Sequence, residues 1–96
     1  MHKLTKENLW LYILSLLREG DMYGYELRGA IAKRFGFKPG NVTAYRVLYS
    51  LRHRGLVRKI DKHVDGRNRK YYHITEAGIE EFERGKTILR NIMSKL

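Results

Sequence analysis

Three stretches with helical apolar spacing, each closed by a glycine, run into a β-turn signal, and that order leaves few folds open. Gly20, Gly36 and Gly55 each follow such a stretch, where helices commonly end on a left-handed residue. Beyond them lies Asp65-Gly66 between two short strand-like runs, a strong short-range hairpin signal. Thr75 then stands at the N-cap position of one more helical pattern. Three helices, a hairpin and a final helix make an α+β chain that is mostly helical. With 96 residues it suits a single domain. A core of that size is marginal alone, so a further interface is expected to add burial.

The first helix is expected over Lys6–Glu19, capped by Thr5, with Leu4 and Leu9 stapled across the cap. Leu9, Tyr12, Ile13, Leu16 and Leu17 share one face and Trp10 and Leu14 another, which predicts burial on two sides. The second helix is expected over Tyr23–Phe35, with Asp21 near its start and Leu27, Ile31 and Phe35 as its inner stripe. The third is expected over Asn41–Arg54, with Ala44, Tyr45, Leu48 and Leu51 inward and Thr43, Arg46, Tyr49, Ser50 and His53 opposite. Strands are expected over Val57–Val64 and Lys70–Ile74, with Tyr72 and Ile74 on one side and Tyr71 and His73 on the other. The last helix, Glu76–Lys95, carries a narrow stripe of Ile79, Phe82, Leu89, Ile92 and Leu96, with Gly85 where one apolar residue is missing. At 1.5 Å per residue it is roughly 30 Å long. Part of it should overhang, and a second copy of the chain is the simplest cover.

Charge is concentrated. Of 20 Lys and Arg residues, 12 lie between Lys33 and His73, against only Asp61 and Asp65, while the cations and acids outside that segment cancel. The whole net charge of +10 is therefore central, which points to a face for a polyanion, of which nucleic acid is the commonest. No acid lies between Lys33 and Ile60. Three helices followed by a basic hairpin is the order of a winged helix-turn-helix, whose third helix suits the major groove of double-stranded DNA. The candidate DNA-binding residues are Lys38, Asn41, Thr43, Arg46, Tyr49 and Ser50 on and before that helix, and Arg67, Asn68, Arg69, Lys70 and Tyr71 on the hairpin. Arg46 is suited to a bidentate pair with guanine, and Thr43 to a hydrogen bond or a thymine methyl contact. The crowding of like charge at the hairpin predicts a neutralising partner outside the chain.

At this point the residues resemble the PadR family of prokaryotic transcription regulators. "YILSLL", "YGYEL", "TAYRVLYSLRHRGLV" and "RKYYHITEAG" occur in that family's order and spacing between Tyr12 and Gly78. The resemblance implies a winged-helix homodimer that binds a pseudo-palindromic operator, usually as a repressor. It also implies that the helix matching Asn41–Arg54 and the wing matching Asp65–Tyr71 contact DNA. The terminal helix matching Glu76–Leu96 would pair with its copy, along with the first helix. The expected division is residues 1–74 for DNA binding and 75–96 for dimerisation, with Trp10, Ile79, Phe82, Leu89, Ile92 and Leu96 at the dimer interface. Some short members bind flat aromatic compounds using a tryptophan on the last helix. Here the only tryptophan is Trp10, so a small-molecule effector finds no support.

Other classes find little in the residues. With no cysteine, disulfides, thiolate chemistry and cysteine-ligated zinc are excluded. No nucleotide-binding or metalloprotease motif is present, so an enzyme is not expected, nor a cofactor. His53, His63 and His73 recur every ten residues but make a poor metal site. The apolar run Leu9–Leu17 is too short to cross a bilayer, and the N-terminus does not read as a signal peptide, which predicts a cytoplasmic protein without a membrane partner. The rival reading is a non-specific architectural nucleic-acid-binding protein.

Overall fold

A computed structural model describes residues 2–96. Its elements are α1 (Lys3–Glu7), α2 (Leu9–Glu19), β1 (Met22–Tyr23), α3 (Gly24–Phe35), α4 (Asn41–His53), β2 (Val57–Val64), β3 (Arg67–Ile74) and α5 (Glu76–Ser94). The three strands form one antiparallel sheet in the order β1-β3-β2. This is the expected winged-helix arrangement with a long C-terminal helix.

The N-terminus differs from the sequence reading. The helix starts at Lys3 and breaks at Asn8, so Thr5 lies inside α1 and caps nothing. His2 Nδ1 is the cap, accepting from Leu4 N at 3.1 Å. Leu4 is exposed, so the staple to Leu9 does not form. The break has a local cause: Asn8 Nδ2 donates to the Leu4 carbonyl at 2.8 Å, the side-chain competition that disfavours Asn within helices.

Helix α2 is the centre of the core. Leu9, Leu11, Ile13, Leu14, Leu16 and Leu17 are all buried, as a helix with two apolar faces requires. Leu27 and Ile31 of α3, Leu48 and Leu51 of α4, Val57, Tyr72 and Ile74 of the sheet, and Phe82 of α5 close around it. Each fully buried aliphatic side chain contributes roughly 1.5–3 kcal/mol relative to exposure. Tyr45 departs from the expected inward set. Ala44, Leu48 and Leu51 are buried, but Tyr45 is 44% exposed. Its ring lies across the start of α3, where a Cβ on Gly24 would come within 2.7 Å of Tyr45 Cζ. Gly24 thus lets α4 approach the junction of β1 and α3.

The hairpin is longer than predicted. Asp65 (φ 52°) and Gly66 (φ 76°) are both left-handed, the conformation of a two-residue type I′ turn. Pairing therefore continues to the rung Val64↔Arg67, and Arg67, Asn68 and Arg69 belong to β3 rather than to a loop. The strand β1 has no counterpart in the sequence reading, which began the second helix at Tyr23. Met22 and Tyr23 pair with Tyr72 and Tyr71.

Helix α5 is capped as expected: Thr75 Oγ1 accepts from Gly78 N at 3.1 Å and donates to the Gly55 carbonyl at 2.7 Å. Its first half folds back on α2 of the same chain. Phe82 and Gly85 are buried, Ile79 and Leu89 partly so. The position left empty by Gly85 is filled by Trp10, whose Cη2 would stand 2.7 Å from a Cβ there. Four of the six residues predicted for a dimer interface are thus engaged within the chain: Phe82 is core, Ile79 and Leu89 pack against it, and Trp10 packs on Gly85. Past Leu89 the helix overhangs. Ile88, Ile92, Met93 and Leu96 are exposed, and the molecule measures 51 × 28 × 21 Å.

Candidate nucleic-acid interface

Helix α4 is entered through Pro39-Gly40, with Gly40 at its N-cap position. Pro39 is buried, and its carbonyl accepts from Arg28 Nε at 2.9 Å, which ties the turn to α3. No side chain caps α4 and no acid lies in its first turn, so its N-terminal N–H groups have no side-chain acceptor. Lys38 lies over the ring of Tyr25, 5.6 Å from the centroid, and Tyr25 is itself well exposed at the start of α3. The sequence reading did not single out Tyr25, because an isolated surface tyrosine carries no pattern.

Burial of Ala44, Leu48 and Leu51 turns the opposite arc of α4 outward. Arg46, Tyr49 and Ser50 lie there with Val42 and His53, all exposed. Asn41 is exposed on one flank, and Thr43 is half-buried on the other. Tyr49 and His53 stack with planes 8° apart. Val42 was missed because one apolar residue in the first turn looks like core, yet it is 70% exposed.

The period-two alternation of β3 divides the five wing candidates between two faces. Arg67, Arg69 and Tyr71 lie on the face with Tyr23, Ile60 and Lys62, whereas Asn68 and Lys70 lie on the face that leads to buried Tyr72 and Ile74. Four of the five have partners within the chain. Asn68 Oδ1 accepts from His63 Nδ1 at 2.8 Å, Lys70 is ion-paired with Asp61, and Arg69 stacks on Tyr23, 4.4 Å from its centroid. Tyr71 meets Tyr23 edge-on, and Lys62 covers Tyr71 at 4.8 Å. Part of the hairpin charge, on Lys70 and Lys62, is therefore already met by carboxylates of the same chain, while the expectation of a neutralising partner outside the chain rests on the cations that remain. Among the described residues, no ion pair involves Arg46, Arg52, Arg58 or Arg67. Of these four, Arg46 and Arg52 lie on α4, Arg58 at the start of β2 and Arg67 at the wing tip.

Asp21, predicted beside the second helix, instead anchors the wing. Its carboxylate accepts from Lys62 Nζ of β2 at 3.1 Å and from His73 Nδ1 of β3 at 2.7 Å. Burial pushes its pKa up, but the hydrogen bonds from His73 and then Lys62 outweigh burial and hold it below its ordinary value. A depressed carboxylate stabilises the fold above its unfolded pKa, about 3.9, and that contribution is lost as pH falls through the folded value. The melting advantage of the wild type over Asp21→Asn is therefore expected to be full near neutral pH and to shrink below about pH 4. An advantage that grew with acidification would contradict this anchoring role. Burial also lifts the Tyr72 phenol, helped by Tyr45 and opposed by the Arg52 guanidinium.

His63 is held by Asn68 and His73 by Asp21, and no group of three potential metal ligands forms among the described residues. No helix among them is long and apolar enough to cross a membrane.

Comparison with known proteins places this geometry. No curated protein matches the sequence. A PadR-like transcriptional regulator from Bacillus cereus superposes with a TM-score of 0.87 at 29% identity, over 98% of this chain and 92% of that one. A transcriptional regulator from Clostridium thermocellum superposes at 0.82 with 25% identity, over 99% and 98%. Bacillus subtilis PadR, solved in complex with operator DNA, shares the fold at a TM-score of 0.70 and 24% identity, over 79% of this chain and 45% of that one. The profile of the transcriptional regulator PadR-like family matches residues 13–84, three-quarters of the sequence, and the chain belongs to that family.

Proposed function

We propose that the protein is a sequence-specific double-stranded DNA-binding regulator, a repressor that acts as a homodimer on a pseudo-palindromic operator in the cytoplasm. The observation that carries this reading is the outward arc of α4. It offers Arg46, Tyr49, Ser50 and His53 with no acid, beside a hairpin whose tip carries Arg67, which enters no ion pair among the described residues. A helix of that size fits the major groove, and its cations match the phosphates on either side. The operator complex of Bacillus subtilis PadR supports the reading through the shared fold. In this assignment Arg46 reads a base edge, Val42 and Thr43 suit a thymine methyl, and Lys38, Asn41 and Arg67 position the duplex. Residues 1–74 hold the DNA-binding surface and 75–96 the pairing helix. Ile88, Ile92, Met93 and Leu96 form the exposed stripe that a second copy covers, continuing from Leu89.

Selection from random duplex DNA tests this directly. An inverted repeat with half-sites about 34–36 Å apart, or a multiple of that, is the expected product. Uniform coverage without a symmetric site would instead identify an architectural protein. On the selected duplex, Arg46→Ala should cost about 1–3 kcal/mol and relax sequence choice. Arg67→Ala should weaken all sequences alike, as should Arg69→Ala, although the latter also removes the stack on Tyr23. Binding curves for matched and mismatched duplexes check both, and the reverse pattern would exchange the roles of helix and wing.

A further inference from the structure

Strand β1 changes the outer face of the sheet. The hairpin alone would leave Tyr71 as the one aromatic ring there, but β1 sets Tyr23 opposite it, and the two rings meet edge-on at 5.6 Å. The register pairs Val64 with Arg67 and Lys62 with Arg69, so Tyr23, Tyr71, Arg69, Arg67 and Val64 all belong to that one face. With Asp65 of the turn, these five line a cleft of about 410 Å³, within the ~300–1,000 Å³ of small-ligand sites. The Arg69 guanidinium lies over the Tyr23 ring, 4.4 Å from its centroid. Arg67 and Asp65 are exposed, and neither enters an ion pair among the described residues. The cleft therefore combines a guanidinium plane backed by an aromatic ring, a second ring beside it, a cation and a carboxylate. A duplex backbone calls for cations alone. Flat π surfaces beside cations are the chemistry that receives a base already out of its stack.

We infer that this cleft binds one unpaired nucleotide of a single-stranded nucleic acid. The base lies on the Arg69–Tyr23 stack and beside Tyr71. Arg67, toward the tip, takes the phosphate. Asp65 accepts from an exocyclic amino group, which cytosine carries and thymine lacks. This ligand is separate from the duplex proposed above: it is held by the face of a base rather than by backbone or groove edge, and the inference does not depend on the duplex reading. A strand seated there occupies Arg67, so it competes with a duplex for the wing.

The test measures fluorescence anisotropy of labelled oligo-dC and oligo-dT, about eight nucleotides long, beside the selected duplex. The wild type should bind both single strands and prefer dC. Tyr23→Leu keeps an apolar side chain in β1 and the charge of Arg69 but removes the ring. It should weaken single-strand binding about 5- to 150-fold, the range for one stacked base, and leave duplex affinity nearly unchanged. Tyr23→Phe restores the ring and should restore the affinity. Asp65→Gly suits the left-handed backbone at that position (φ 52°) and should abolish the preference for dC over dT. A wild type that ignores single strands would overturn the inference. So would equal losses on duplex and single strand in Tyr23→Leu, which describe a ring that merely props the wing, and so would a dC preference that survives Asp65→Gly. The ribose counterpart of oligo-dC distinguishes an RNA from a DNA source, and binding of either supports the cleft. Single-strand binding with these sensitivities in a protein that ignores every duplex would uphold this inference and remove the operator reading instead.

Discussion

Between 50 and 200 mM salt, affinity for duplex DNA is expected to fall about 10³- to 10⁵-fold, the loss that accompanies six to ten phosphate contacts. The cations available to make those contacts set the size of the effect. Lys62 and Lys70 already face carboxylates, and Arg54 is paired with Glu81, so they release fewer counterions on binding. Among the described residues, Arg46, Arg52, Arg58, Lys59 and Arg67 have no such partner, and in a dimer each counts twice. Fluorescence anisotropy at graded salt concentrations measures the slope directly. A slope magnitude below about 2 would leave only one phosphate per protomer and would remove a DNA backbone as the main ligand.

Gly78→Ala is expected to destabilise the fold by about 2 kcal/mol, seen as a drop of ~10 °C in melting temperature. Alanine in place of glycine normally favours a helix by roughly 0.5–1 kcal/mol, so the sign of the change is informative. Here the new Cβ would run into the Leu56 carbonyl oxygen and would come within 2.7 Å of Ile74 Cγ1 and 3.1 Å of the Leu56 carbonyl carbon. The obstacle is mostly main chain, and that carbonyl is already committed to the amide of Thr75 at 3.0 Å. Neither can turn aside as a long side chain would. Relief requires α5 to move away from the β2 root, which also strains the Thr75 cap. Thermal unfolding by circular dichroism gives the answer, and an unchanged or raised melting temperature would mean that α5 sits farther from Leu56.

The parts of the fold that were legible in the sequence are those written in local chemistry. Thr75 caps α5 and Asp65-Gly66 makes the hairpin turn because the determining contact lies within a few residues, and Leu27 and Ile31 share the core face because helical spacing alone sets it. What escaped depends on distant partners. Met22 and Tyr23 form a strand only because β3 is there to pair with them. Asp21 looks like a helix-start residue until Lys62 and His73 are brought to it. Gly85 appears as a defect in the stripe of α5 until Trp10 of α2 fills it, and Tyr45 fits an inward pattern that the close approach of Gly24 overrides. Of the candidate interface, the sequence supplied the residue types and α4 as their carrier. It did not supply the division of the wing between two faces, which needs the strand to begin at Arg67 rather than at Lys70. Nor did it reveal which cations are already satisfied.

The brevity of β1 has a mechanical consequence. It ends at Tyr23, opposite Tyr71, so the rungs from Asp61↔Lys70 outward to Val64↔Arg67 have a neighbour on one side only. That outer stretch is a two-stranded ribbon cantilevered from a three-stranded base, and such ribbons twist and bend more readily than wider sheets. Asp21 clamps the beam near its root through Lys62, leaving the tip as the compliant part. In the proposed DNA complex, Arg67 would then swing to meet backbones of different groove width while α4 stays fixed in the core, one stiff finger beside one springy one.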